Sequence, residues 1–220
     1  MSENKTVEVM EAIYDKNEEV AKLTNADFTN KGILAINVIG APGVGKTSVL
    51  CQIIKRLGPV KPYVIEGDIE ADYDTKLLQA LGVEAVQINT GGACHLDSPL
   101  IAEAAQEFTL QEGILFIENI GNLVCPAEFM IGEHAKLLIT NVTEGSDKPY
   151  KYPLAFEKAD LIVINKVDLL SYVDFDEEFF MAGVRALNKM APVVKVSCKN
   201  EEGFEEIIKW LENKHASVKK

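Results

Sequence analysis

From residue 33 onward, short apolar runs alternate with longer amphipathic stretches. Before that point the pattern is different. Val7, Met10, Ile13, Val20 and Leu23 recur at helical spacing among Glu and Lys, so the first thirty residues read as one helix that Asn30-Lys31-Gly32 ends. The apolar runs at 33–39, 62–66, 83–88, 114–118, 137–142, 161–165 and 193–196 have strand length. Between them, 46–57, 72–81, 98–108, 176–190 and 202–213 have helical patterning, with Gly82 closing the second and Asp97 or Ser98 capping the third. Strands alternating with helices predict an α/β fold in three layers, a mostly parallel central sheet flanked by helices. The expected organisation is one domain over 1–220, with the helical segment 1–30 packing on it. The loops 67–75, 89–97, 119–134 and 143–153 each follow a predicted strand, and sheets of this kind bind ligands at the carboxyl ends of their strands.

Composition narrows the function classes. With 220 residues and 47% hydrophobic content the chain can bury a substantial core. A net charge of −12 argues against a nucleic-acid partner, which needs a basic face to displace counterions. The lysine-bearing tail 214–220 reads as a frayed, solvated end. No apolar run approaches the roughly 20 residues that span a bilayer, and residues 1–15 are too acidic for a secretory signal. Cys51, Cys94, Cys125 and Cys198 form no CxxC pair, so a reducing cytoplasm is the expected location, with no membrane association.

The sharpest motif is Gly40-Ala41-Pro42-Gly43-Val44-Gly45-Lys46-Thr47, a Gly-x-x-x-x-Gly-Lys-Thr loop between a predicted strand and a predicted helix. Its glycines (Gly40, Gly43 and Gly45) let successive backbone N–H groups converge on phosphate oxygens, and the helix N-terminus adds a positive dipole end. The cradle runs through Val44 and on to Ser48. Lys46 supplies a full charge at the β/γ position, and the Thr47 hydroxyl is placed to ligate Mg²⁺.

A second motif, Asn165-Lys166-Val167-Asp168, ends the strand 161–165. A carboxylate there can accept two hydrogen bonds from guanine, whereas adenine would leave it buried and unpaired. The Lys166 stem can lie over the base. Ser197-Cys198-Lys199 resembles the Ser-Ala-Lys element that closes over guanine in GTPases, with Cys for Ala. Two carboxylates follow strands near the expected γ-phosphate, Asp68 and Glu118. Either can steer the waters of a Mg²⁺ ion or orient the attacking water, with Asp68 favoured and a plain strand-end acid the alternative for Glu118. Arg56 and Arg185 lie inside helical stretches, so no arginine finger is evident and unaided hydrolysis should be slow.

Cys94 and His95 follow one strand and Cys125 another, so all three can reach one rim of the sheet. Thiolate and imidazole together suit Zn²⁺ or Ni²⁺. Their spacing alone leaves open an inert buried cysteine and a capping histidine. Three ligands leave a tetrahedral ion incomplete, so a water, a partner protein or a second copy of the chain would have to finish the set.

Taken together, the Gly40–Thr47 loop, Cys94-His95-Leu96-Asp97, Glu118-Asn-Ile-Gly-Asn-Leu-Val-Cys125-Pro-Ala and Asn165-Lys-Val-Asp168 closely resemble the HypB family of hydrogenase nickel-incorporation GTPases, over residues 10–213. The resemblance implies a GTP/GDP-dependent accessory protein that helps deliver Ni²⁺ to [NiFe]-hydrogenase. It also implies a nucleotide-dependent homodimer, work with a HypA-type zinc metallochaperone on the hydrogenase large-subunit precursor, and metal ligation by Cys94, His95 and Cys125 at the protomer boundary. The chain lacks the N-terminal Cys-rich motif and the His-rich tract of some family members, so no separate tight nickel store is expected. Val44 replaces a usual Ser or Ala, and Lys148, in a loop the family places near the nucleotide and the dimer partner, can reach across or simply be solvated. The rival readings are a urease-type or cobalamin-type metallochaperone GTPase, the former disfavoured by Cys94-His95 in place of Cys-Pro-His, and a GTP- and metal-sensing module with negligible turnover.

Overall fold

The computed structural model describes residues 4–68 and 73–219, with side-chain surroundings from residue 16 onward except at 68, 73 and 74. Among the described residues, seven strands form one sheet: β1 (Ile33–Ile39), β2 (Pro62–Asp68), β3 (Glu84–Asn89), β4 (Gly113–Glu118), β5 (Ala135–Asn141), β6 (Leu161–Asn165) and β7 (Val193–Lys195). They lie in the order β3-β2-β4-β1-β5-β6-β7. Every pairing is parallel, from Tyr63 opposite Glu84 at one edge to Ile164 opposite Lys195 at the other. All seven carboxyl ends therefore open on one rim.

The helices are α1 (Asn4–Asn30), α2 (Lys46–Ile54), α3 (Tyr73–Ala80), α4 (Ser98–Ala104), α5 (Cys125–Glu128), α6 (Lys148–Lys151), α7 (Pro153–Lys158), α8 (Glu177–Leu187) and α9 (Glu205–Val218). Alternation along the central strands divides the core between the two faces. Leu34, Ile36 and Val38 of β1 pack with Val49, Leu50 and Ile53 of α2 and with Ile207 and Leu211 of α9. Ile33 and Ala35 face the other way, toward Phe28 of α1 and Ile101 of α4. Strands buried on both faces explain the continuous apolar runs in the sequence.

Asp97 caps α4, its carboxylate accepting from the Leu100 N–H at 3.0 Å. The short helices α5, α6 and α7 form where the pattern predicted none, and four further local expectations give way. Leu23 is 66% exposed, and α1 docks instead through Asn17, Ala21, Thr24 and Phe28, spaced at four, three and four residues. The Val7, Met10 and Ile13 side chains lie outside the described residues. Helix α2 stops at Ile54, because residues 56 and 57 tighten into i→i−3 bonds before Gly58 turns the chain. Helix α9 starts at Glu205 because Ser197 and Glu202 pair across a turn first. The tail is not frayed from 214: α9 runs to Val218, His215 is buried against the Gly32 carbonyl at 3.3 Å, and Lys214 reaches Asp160 at 3.2 Å.

Candidate functional site

The glycine-rich loop leaves β1 at the centre of the sheet and feeds α2, whose first residue is Lys46. Gly45 occupies the cap position at φ 95°, and a Cβ there would stand 2.6 Å from the Asn165 side-chain nitrogen. Only glycine meets both conditions, so the packing of Asn165 and the turn of the loop select the same residue. Asn165 is nearly inaccessible and donates to the Val44 carbonyl at 3.0 Å. Lys166, in a left-handed conformation at φ 60°, donates through Nζ to the Gly43 carbonyl at 2.8 Å. Two residues expected at the base thus brace the phosphate loop. The left-handed backbone costs a non-glycine residue about 1–2 kcal/mol and is held by these contacts.

Asp168 and Ser197 meet where β6 and β7 end, the Ser197 hydroxyl donating to Asp168 Oδ1 at 2.6 Å. The same hydroxyl accepts the Asn200 N–H at 3.1 Å, ordering the 197–202 turn. Cys198 beside them is half-buried, and burial pushes its thiol pKa up to about 11. Arg56 locks this turn to α2. It bonds the Gln52 carbonyl at 2.9 Å and the Glu201 carbonyl at 3.2 Å, and it lies 5.0 Å over the Phe204 ring. Nothing in the pattern around Arg56 marked that role.

At the phosphate end, Thr47 Oγ1 donates to Glu118 Oε1 at 2.9 Å, with both residues buried. Glu118 is the register partner of Glu66, so Asp68 ends β2 two residues beyond it, with its side chain outside the described residues. A buried carboxylate on the loop hydroxyl is the donor set that a hard, oxygen-seeking Mg²⁺ uses. Lys148 is tied to Glu144 at 3.0 Å and lies 5.2 Å over the Tyr152 ring, largely covered by its own chain. Arg185 is spent on the Asn188 and Ala191 carbonyls, at 3.2 and 2.7 Å.

The structure brings Cys94, His95 and Cys125 together, with ligand atoms all within 4.8 Å of one another. The Cys94 and Cys125 sulfurs are 3.2 Å apart, and Cys94 Sγ is 3.3 Å from His95 Nδ1. Around a tetrahedral ion with bonds of roughly 2.3 Å to sulfur and 2.0–2.1 Å to nitrogen, those separations would be roughly 3.8 and 3.5 Å. A few tenths of an ångström of opening fits the set to an ion. His95 stacks on Phe129, ring centroids 4.2 Å apart at 13°. Burial lowers the His95 pKa, against the opposing charges of Asp97 and Glu128, which favours the neutral ligand form. The thiol's hydrogen bond with Cys94, with burial behind it, raises the Cys125 pKa.

The two sites share one loop. Gly40 of the phosphate loop pairs with Asn122 in an antiparallel bridge. A Cβ on Gly121 would stand 2.9 Å from Pro42 Cγ, so this segment lies directly on the phosphate loop. Asn122 Nδ2 donates to the Cys94 carbonyl at 3.1 Å, while Asn122 Oδ1 accepts the Val124 N–H at 2.9 Å. Asn119 Oδ1 takes the N–H groups of Leu96 at 3.1 Å and Ile120 at 3.0 Å. Asn119 and Asn122 were readable only as members of a motif. Their role depends on which loops β3 and β4 bring together.

A sequence profile described as "CobW/HypB/UreG, nucleotide-binding domain" matches residues 34–195. The hydrogenase maturation factor HypB of Azotobacter vinelandii is 43% identical over 219 residues, covering 99% of this chain and 72% of its own. Two crystal structures superpose closely. One is the hydrogenase maturation factor HypB from Archaeoglobus fulgidus, at TM-score 0.85 and 36% identity over 91% of this chain and 99% of that one. The other is HypB from Helicobacter pylori in complex with nickel, at TM-score 0.86 and 32% identity over 92% and 96%.

Proposed function

Because the chain belongs to the HypB family of hydrogenase maturation factors, within the CobW/HypB/UreG class of nucleotide-binding domains, we propose that it is a GTP-hydrolysing accessory protein that binds nickel as cargo and inserts it into [NiFe]-hydrogenase. In this reading it works as a nucleotide-dependent homodimer, with a HypA-type zinc metallochaperone and the hydrogenase large-subunit precursor as partners.

The backbone N–H groups of 43–48 and the Lys46 ammonium hold the phosphates. Asp168, with Ser197 donating to one of its oxygens, reads guanine and rejects adenine, and Cys198 lines the same turn. Thr47 and Glu118 would hold Mg²⁺ directly or through its waters, and the ion would supply charge neutralisation on the β/γ oxygens. Asp68 or Glu118 orients the attacking water. Without an arginine finger this turnover is slow. Cys94, His95 and Cys125 hold nickel, or zinc in its place, through two thiolates and an imidazole.

The observation that carries the reading is the shared loop. The Thr47–Glu118 bond, the Gly40–Asn122 bridge and the Asn122–Cys94 bond connect the Gly40–Thr47 loop to Cys94, which supports coupling between the two proposed sites. A group that pulls Glu118 also moves Asn119 to Asn122, and with them Cys94 and Cys125. Coupling of about 1–3 kcal/mol changes metal affinity by roughly 5–150-fold. Nickel affinity and oligomeric state, measured with GDP and with a non-hydrolysable GTP analogue, test this. Equal values in the two states would overturn it. Replacing Cys94 or Cys125 with Ala should remove the bound nickel, and unchanged stoichiometry would favour an inert pair.

A further inference from the structure

Lys136 is an unusual residue at its position. It sits on β5, a strand buried along its whole length, and its side chain is only 7% exposed. A buried ammonium must be compensated, because water that solvated the charge is lost on folding. Among the described residues, its side-chain partners lie on one segment. Nζ donates to the Phe129 carbonyl at 2.8 Å and the Pro126 carbonyl at 3.2 Å, and pairs with Glu133 Oε1 at 2.6 Å. Glu133, 2% exposed at its side chain, spends its other oxygen on the Ile131 N–H at 2.7 Å. Lys136 itself is fixed from behind, its N–H donating to Asp160 Oδ2 at 2.9 Å.

The segment so gripped carries a metal ligand. Helix α5 is four residues long, Cys125–Glu128, and begins with Cys125. A helix this short cannot stabilise itself, because nucleation fixes several residues for one hydrogen bond. The carbonyls at its C-terminal end have no helical partners, and a cation there satisfies them and complements the dipole. The Pro126 carbonyl is one residue from Cys125, and Phe129 is the ring on which His95 stacks. One ammonium therefore holds both the turn that presents Cys125 and the ring that orients His95.

We infer that Lys136, paired with Glu133, is a positioning residue for the Cys94–His95–Cys125 site: it sets the ligand geometry from behind without touching the metal. The inference rests on the metal reading proposed above. Groups that orient metal ligands from outside the coordination sphere are worth about 10–100-fold in affinity. Lys136→Met combined with Glu133→Gln removes both buried charges, a change that is often neutral for stability, and keeps an acceptor for Ile131. In the full-length chain this double variant is expected to bind Ni²⁺ about 10–100-fold more weakly. It should also alter the thiolate and d–d bands of the Co²⁺-loaded protein while leaving GDP affinity unchanged.

A merely structural ion pair would not move those spectra in a folded protein. Wild-type nickel affinity and Co²⁺ bands in the double variant overturn the inference. Should the double variant also lose GDP binding, Lys136→Gln combined with Glu133→Gln decides. It keeps an N–H donor but no charge, and is expected to lose several-fold in nickel affinity, so wild-type affinity there refutes the role as well. Failure of the wild-type chain to bind nickel through Cys94 is distinguishable from either result, and removes the metal reading together with this inference.

Discussion

Asn165→Ala should weaken every nucleotide by the same factor. Asn165 Nδ2 is bonded to the Val44 carbonyl at 3.0 Å, and both residues are almost wholly inaccessible. The substitution leaves that carbonyl buried without its donor, which costs about 1–3 kcal/mol. The Lys166 N–H loses its acceptor at 2.8 Å as well, a half-buried bond worth about 0.5–1.5 kcal/mol. The loss falls on the phosphate loop, which is then no longer pre-ordered and must be ordered on binding. If about 1–3 kcal/mol of it is expressed in affinity, the dissociation constant rises roughly 5–150-fold. The assay is a fluorescent-GDP titration with competition by GDP, a GTP analogue and the inosine nucleotides. Inosine lacks the exocyclic amino group, so it reports on Asp168. An equal loss for guanine and inosine nucleotides is expected. A loss confined to guanine would show that Asn165 acts through the exocyclic-amino contact of Asp168, and unchanged affinity would remove the bracing role altogether.

Three further outcomes can be checked. Arg56→Met should weaken GDP binding by about 3–10-fold, through loss of the bonds that hold the 197–202 turn to α2, while nickel affinity stays constant; calorimetric titrations of both ligands report it. Stability should fall as pH drops from about 7 to about 5.5 in urea titrations, with His134→Gln removing part of the slope. The folded protein holds His134 Nδ1 unprotonated on the Ala35 N–H at 3.0 Å, and burial lowers its pKa, so its contribution is full above the ordinary histidine range and is lost as pH falls toward the folded value. Iodoacetamide at about pH 8 should modify exposed Cys94 first and Cys198 slowly, because thiolate is the reacting form and the Cys198 pKa is about 11; faster labelling of Cys198 in peptide mass spectra would contradict its burial.

Much of this molecule was legible along the chain because its central strands are buried on both faces and its chemistry is written in contiguous motifs. The run Ile33–Ile39 reads as a strand at its observed ends. The phosphate loop carries its own turn chemistry, and Asn165-Lys166-Val167-Asp168 is one uninterrupted stretch. Local patterning is sufficient wherever a residue's partner lies within a few positions.

It fails where partners come from different strands. Leu23 has the helical spacing of a core residue, yet α1 is rolled so that Asn17 reaches Ser98 and Met130, and only docking decides which face of a helix turns inward. Asn165 has the type and place of a base-reading residue, and the motif does not reveal that its side chain also ties a loop 121 positions earlier. Lys136 looks like a stray charge in an apolar strand until Pro126, Phe129 and Glu133 fold over it. The residue types and the order of the strands and longer helices came from the sequence alone, since periodicity, glycine placement and motif chemistry are short-range properties, whereas the short helices α5, α6 and α7 did not. Tertiary structure alone decided that the loop after β4 touches both the phosphate loop and Cys94, because strand order sets the neighbours of each loop and the chain itself does not spell it.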